Sequence, residues 1–354
     1  MPHPRIALLP LLILAVAATV VLLADTSPEG PDDPAPPGER DVASLGSGDI
    51  PAPFQALGRD TGTTAIVLTK TRLELIDLDT AERGTFLLED NIRRDSVNIG
   101  RRLLVVDHRL LVPNGLEVWS IDLGDGTVRD IGSGERVAPS TTTGTAWVLN
   151  LESATWREVD AAGGVIRTID WPDAGIHWDH GLGTPEYAST AAGGIFRLED
   201  DTAWSFVSDG HALAGNETTA LVQTCLSLTA CDYRWIDMRS GAEITAWMPP
   251  TLQSPGLRNY RLSPGGQSIL EMNPTNRTYE AVYAYRDGVV RGTACHQGWQ
   301  YAVWSPDETL VACITNKGVA VSDIRNGPAA IFEDFADPPL AIVLVDTASV
   351  GLLD

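Results

Sequence analysis

The sequence predicts an all-β protein: a β-propeller of about seven four-stranded blades, preceded by an N-terminal transmembrane helix. Three observations predict it. From Thr61 onward the apolar runs are strand-length and are separated by Gly, Asp, Asn, Ser and Pro. A turn pattern, Asp with Gly four residues later, recurs at multiples of about 40 residues, the period of a four-stranded blade. Near the start, Ile6 to Ala24 is a run of 19 residues without a charge.

The N-terminus divides into three pieces. Residues 1–5 are short and basic. Residues 6–24 would span about 28 Å as a helix, close to the thickness of a bilayer core. Arg5 precedes the run, and Asp25, Glu29, Asp32 and Asp33 follow it. The positive-inside rule then places residues 1–5 in the cytoplasm and the bulk of the chain outside. The competing reading is a cleaved signal peptide with Ala15-Val16-Ala17 as its small-residue site, which would release a secreted protein. The first cysteine is Cys225, so a lipoprotein signal is excluded. Residues 25–60 hold seven prolines among acidic and small residues and read as a disordered tether.

Residues 61–354 form the propeller. The exact turn pattern occurs at Asp122–Gly126, Asp160–Gly164, Asp237–Gly241 and Asp323–Gly327, with gaps of 38, 77 and 86 residues. Asp209-Gly210 and Asp287-Gly288 are degenerate copies within the longer gaps, and Asp77 begins one upstream. The Asp carboxylate can accept backbone N–H bonds, and the Gly can take the positive φ of a tight turn. These residues are therefore expected to be structural. Seven blades result, with six to eight compatible with the spacing. The segment Ala341–Val345 echoes Ala65–Thr69, so the tail is expected to complete the first blade and remove open sheet edges.

A second mark precedes two blades. Leu262-Ser263-Pro264-Gly265-Gly266 and Trp304-Ser305-Pro306-Asp307-Glu308 stand 42 residues apart, each before an apolar strand. In these turns the chain resembles the WD40-like propellers of the TolB type. Its Asp-x-x-x-Gly turns are similar to those of YVTN and PQQ-type propellers. The resemblance implies a fold, not an activity. PQQ-type blades carry a Trp shortly after the Gly; Trp247 falls two residues late, and the other exact turns lack one. No cofactor is expected.

Four cysteines in an exported chain predict disulfides. Of three possible pairings, the simplest is Cys225 with Cys231 across a hairpin and Cys295 with Cys313 between successive blades. The candidate metal ligands are His177, Asp179 and His180. They lie on a loop, without fixed geometry or a further strong ligand, and the alternative is a loop packed by Trp171 and Trp178. Asp122–Gly126 also resembles part of a calcium loop, but Ser133 stands where a carboxylate would be needed. No G-x-S-x-G elbow occurs. The ten Trp are expected mainly in core and blade contacts. Of the 25 basic residues only Lys70 and Lys317 are lysine, a bias of high-GC bacteria, where the two Asn-x-Thr sequons carry no meaning.

A formal net charge of −22 argues against nucleic acid as a partner. The function expected is that of a non-catalytic, membrane-anchored extracytoplasmic propeller that binds a protein or cell-envelope ligand. The alternatives are an envelope hydrolase or lyase with a site at the channel, and a structural subunit of an envelope complex.

Overall fold

The computed structural model describes residues 56–57, 60–88, 103–170, 176–177, 182–190, 192–227, 230–246, 248, 259–272, 282–286, 289–295, 302–315 and 318–350. The expected membrane helix, most of the tether, Asp179, His180 and Asp287-Gly288 lie outside them. Among the described residues the chain is all-β. It forms seven four-stranded antiparallel sheets, with a 3-10 turn at Thr347–Ser349.

The sheets follow one another along the chain. Sheet 1 covers residues 63–87, and sheets 2 to 7 cover 104–133, 136–170, 176–208, 211–244, 259–292 and 303–332. In sheets 2, 4, 5, 6 and 7 the strands pair in sequence order, and sheet 3 is the same ladder. Sheet 1 is different. Its first strand is Ala341–Asp346, the last strand of the chain, paired with Thr63–Leu68 in a register running from Thr63↔Asp346 to Leu68↔Ala341. The two ends of the folded region thus share one sheet, which closes the ring.

The seven interfaces between sheets carry the core. Both faces of a sheet are covered, so its strands read as continuous apolar runs rather than alternating ones. Sheet 1 shows the division. Ile66 and Leu68 pack with Leu110, Val112 and Trp119 of sheet 2. Ala65 and Val67 turn the other way, to Leu310, Val319 and Val321 of sheet 7. Separate clusters fill the interfaces of sheets 2 with 3, 3 with 4, 4 with 5, 5 with 6 and 6 with 7. This unbroken circuit of apolar interfaces is a β-propeller. Trp147, Trp156 and Trp235 are buried in it, and Trp119 and Trp304 are nearly so. Trp204 is half-buried, and the other four lie outside the described residues.

Strands alternate in direction, so turns fall on two faces. The turns between second and third strands, and the connections between sheets, share one face, called distal here. The turns between first and second and between third and fourth strands share the proximal face. The chain comes in on the proximal side, where Leu57 N donates to Leu78 O.

The Asp turns join the third and fourth strands of sheets 2, 3, 5 and 7. Asp122 Oδ1 accepts from Gly124 N at 2.9 Å, Asp160 Oδ1 from Ala162 N at 2.9 Å, Asp237 Oδ1 from Ser240 N at 2.7 Å and Asp323 Oδ1 from Arg325 N at 2.7 Å. Gly126, Gly241 and Gly327 have φ of 75°, 71° and 90°. In the Asp160 turn the positive φ falls on Gly163 instead of the expected Gly164. That turn is one residue tighter: Gly163 N closes onto Asp160 O, whereas Gly126 N and Gly241 N close four residues back. Asp209-Gly210 is not a degenerate member of the series. It connects sheet 4 to sheet 5, and the corresponding turn of sheet 4 is built on Asp200, which accepts from Thr202 and Ala203 N.

The two Ser-Pro turns have a shared design. Ser263 and Ser305 are fully buried, and their hydroxyls accept from Ser268 N and Leu310 N, each at 2.9 Å. Glu308 links the two by accepting from Gly265 N of the neighbouring sheet.

Candidate functional site

Three features of the ring bear on function: its axis, one charged interface and its distal face.

A cavity of about 800 Å³ runs along the axis. First strands of six sheets line it, among them Leu104, Val105, Val303 and Val343, which are half-buried, and Gly183 stands where sheet 4 approaches. The charged residues of the lining are Asp107, Glu217, Arg261 and Asp346. Each of the three carboxylates stands at the end of a first strand or within two residues of it. Asp107 follows Leu104–Val106, Glu217 follows His211–Gly215, and Asp346 closes Ala341–Asp346. They therefore gather at the proximal mouth. Arg261 donates to Ala302 O, at the start of the neighbouring first strand. Partial burial, and then the negative charge of Glu186, push the Glu217 carboxyl above the usual range although it reaches solvent.

The interface of sheets 3 and 4 holds a charged network that sequence reasoning missed. Glu158 is only 2% exposed. It accepts from Ser140 Oγ at 2.6 Å and Thr145 Oγ1 at 2.7 Å, and pairs with Arg167 Nε at 2.5 Å. The same guanidinium reaches Glu186 at 3.0 Å and lies 4.8 Å from the Trp147 ring centroid. Burial alone would raise the Glu158 carboxyl, but the hydrogen bonds from Ser140, Thr145 and Arg167 outweigh it and hold it below the usual range. Glu158 is buried while the Arg167 side chain stays 30% exposed and also lies 3.7 Å from Asp201, so the arrangement is a bridge that ties two blades together at their outer strands. Only the alignment of Glu158 and Arg167 on adjacent strands could have signalled it.

On the distal face, three hairpin tips carry exposed leucines: Leu116 at 67%, Leu151 at 51% and Leu226 at 86%. The sheet 5 hairpin is the longest among the described residues, with strands Thr219–Ser227 and Ala230–Asp237. The Cys225–Cys231 disulfide crosses it directly below Leu226. The second disulfide joins Cys295, after the last strand of sheet 6, to Cys313 on the second strand of sheet 7. Both pairings are those expected from nearest neighbours.

Of the proposed metal ligands, His177 belongs to the first strand of sheet 4, Ile176–His177, and the other two lie outside the described residues. Among the described residues, no group of three or more His, Cys, Asp or Glu is placed to hold a metal ion. No helix among them is long and apolar enough to cross a membrane.

No family model matches the chain, and no curated protein matches it in sequence. Solved structures do. The chain is similar to the β-propeller domain of the Trilobed protease from Pyrococcus furiosus, with 12% identity and a TM-score of 0.48 over 77% of this chain and 96% of that one. It is similar to apo AztD from Citrobacter koseri, with 11% identity and a TM-score of 0.43 over 80% and 97%. It is also similar to hydrazine synthase from Kuenenia stuttgartiensis, with 17% identity and a TM-score of 0.41 over 68% and 80%. At such identities the likeness concerns chain path alone, and the propeller assignment rests on the seven sheets and the interfaces that join them into a ring.

Proposed function

We propose that this chain is a non-catalytic, membrane-anchored extracytoplasmic seven-bladed propeller that binds a protein partner in the cell envelope through its distal face. The observation that carries the reading is the disulfide-braced hairpin of sheet 5, which presents Leu226 at 86% exposure. An apolar side chain on a braced, protruding hairpin loses little conformational freedom on binding, a property of anchor residues at interfaces. Leu116 and Leu151 extend the apolar character of that face, and Glu117 and Glu152 beside them are exposed. The partner surface is accordingly apolar with a basic margin. The described chain comes in on the proximal side, at the opposite end of the ring from these hairpin tips.

The test is crosslinking of the full chain in membranes, followed by purification of the wild type and of Leu226→Asp and Leu151→Asp variants side by side. A partner captured by the wild type and lost from both variants is the expected result. A partner retained equally by both variants refutes the assignment of the face. Carbonate-washed membranes should keep the protein, with the propeller open to external protease; soluble protein beginning near Asp25 would refute the anchor.

A second reading, a structural subunit of an envelope complex, draws on the outer strands. Val165 and Ile166 are each 54% exposed on sheet 3, and Phe206 is 63% exposed on sheet 4. Stable co-purification that depends on these residues and not on Leu226 would favour it.

A further inference from the structure

We infer that the Cys225–Cys231 disulfide is a site of thiol–disulfide exchange with a protein dithiol, and that its reduction releases the hairpin tip that presents Leu226. The exchange site stands on the hairpin alone, and its effect on binding rests on the distal-face reading above.

The two disulfides lie in opposite settings. Cys295 and Cys313 are fully buried in the interface of sheets 6 and 7, where a second protein cannot bring a sulfur into line. Cys225 is exposed and Cys231 half-buried, near the tip of the sheet 5 hairpin. Exchange begins with a thiolate attacking one sulfur of the bond, so access selects this pair.

The hairpin divides at Gln223, whose Nε2 donates to Tyr233 Oη at 3.0 Å. Below it, Ala220, Leu221, Val222, Trp235 and Ile236 are buried, and a one-residue slip would turn them out of the interfaces. The core therefore holds that register. Above it the strands leave the ring: Cys225, Leu226, Ala230 and Asp232 are exposed. A two-stranded ribbon in water is marginally stable, so a covalent tie has most effect there. Cys225 stands opposite Cys231 with Cα atoms 3.9 Å apart, and the next pair is Ser227 with Ala230. Leu226 is left between them as the extra residue of a β-bulge. Fixing the cysteine pair fixes which residue is extra. Once the bond opens, nothing covalent holds the bulge at Leu226, and its side chain loses its set position.

The step balances. A thiolate of the dithiol attacks Cys225 Sγ, the bond to Cys231 breaks, and Cys231 leaves as a thiolate that takes up a proton. The second thiol of the dithiol then attacks its own chain's sulfur in the mixed disulfide and releases Cys225. The hairpin gains two electrons and two protons, and the dithiol loses them as it becomes a disulfide.

The probe is reduced thioredoxin with its resolving cysteine replaced by serine, incubated with the full chain in nanodiscs and mapped by mass spectrometry. A mixed disulfide on Cys225, with Cys295–Cys313 intact, is expected. No mixed disulfide, or one on Cys295 or Cys313, overturns the exchange site. Amide hydrogen exchange is then measured before and after reduction by unmodified thioredoxin. Amides of residues 224–227 and 230–232 should exchange at least about tenfold faster after reduction, because opening the bond restores the entropy of a short closed loop. Those of residues 219–222 and 234–237 should not change. Unchanged protection at the tip, or loss throughout the sheet, overturns the release. Cys225→Ser combined with Cys231→Ser should reproduce the reduced pattern; should that variant not fold, the reduced wild type carries the test. Partner capture that needs Leu226 but survives the double Ser variant overturns the switch and leaves the distal face standing. Capture indifferent to Leu226→Asp refutes the face and leaves the exchange site to the thioredoxin result.

Discussion

Replacing Gly241 by Ala should cost several times what the same change costs at Gly327, although both glycines occupy equivalent turns. Each has a positive φ, 71° and 90°, which an L side chain takes up at a cost of about 1 kcal/mol. The surroundings then separate them. A Cβ built on Gly241 would stand 2.1 Å from Val207 O, a backbone atom on the outer strand of sheet 4. Backbone cannot rotate away as a side chain can, so two blades must move apart by about an ångström, an overpacking cost of about 2 kcal/mol. A Cβ on Gly327 meets nothing within 4 Å. The sums are about 3 kcal/mol at Gly241 and about 1 kcal/mol at Gly327. Gly126 should fall between them, since its obstacle is the Phe86 ring at 2.6 Å, which can shift. For a domain of this size the calorimetric Tm moves by about 2 °C per kcal/mol, so the two variants should lose about 6 and 2 °C. Equal losses, or a larger loss at Gly327, would refute the claim that the turns act as contacts between blades.

The corresponding turn of sheet 1 offers the opposite sign. Ala81 occupies it with φ of 63°, and Ala81→Gly should stabilise by about 0.5 kcal/mol after the extra freedom of the unfolded chain is subtracted, as urea unfolding can measure. The disulfides should differ in access. Cys225 is exposed, whereas Cys295 and Cys313 are fully buried, so mild reductant followed by alkylation and mass spectrometry should open Cys225–Cys231 first. Replacing Cys313 with Ser should cost about 3 kcal/mol of unfolding free energy on the chain-entropy model. Glu158→Ala should cost about 1–2 kcal/mol, for the hydrogen bonds it accepts from Ser140 and Thr145 and the bridge to Arg167, since Arg167 keeps Glu186 and reaches solvent. The Glu158 carboxyl is held low in the folded state, so its contribution is complete at neutral pH and is lost as the pH falls through its folded value. Urea unfolding should therefore show wild type and Glu158→Gln converging in acid and diverging at neutral pH.

The architecture was legible because its marks are local. An Asp with its turn, or a Ser whose hydroxyl closes a Ser-Pro turn, is written within six residues and repeated about every 40. Ring closure was also legible, since Ala341–Asp346 has the composition of the strand it joins. Sheet 4 was harder. Its first strand has two residues, its turn lacks the Gly, and Asp209-Gly210 imitates the mark at the next connection. The position of φ in the Asp160 turn was hidden for a different reason. Two consecutive glycines there serve turns of either length, and the three-residue closure selects Gly163.

The site was less legible because it belongs to no single segment. Glu158, Arg167 and Glu186 meet across an interface, and nothing in their spacing distinguishes them from the other charged residues of outer strands. The carboxylates of the channel mouth stand at positions 107, 217 and 346, too far apart for any motif to join them. They become a group once the repeat is in register, because each first strand ends at the same mouth. In a propeller the chemistry of that mouth is written one residue per blade. A reading that aligns the blades and then inspects the few residues at the end of each first strand recovers Asp107, Glu217 and Asp346, together with the buried Ser263 and Ser305. The hydroxyls of Ser263 and Ser305 close their turns, and the Asp346 carboxylate accepts from Ala348 N in the turn after its strand.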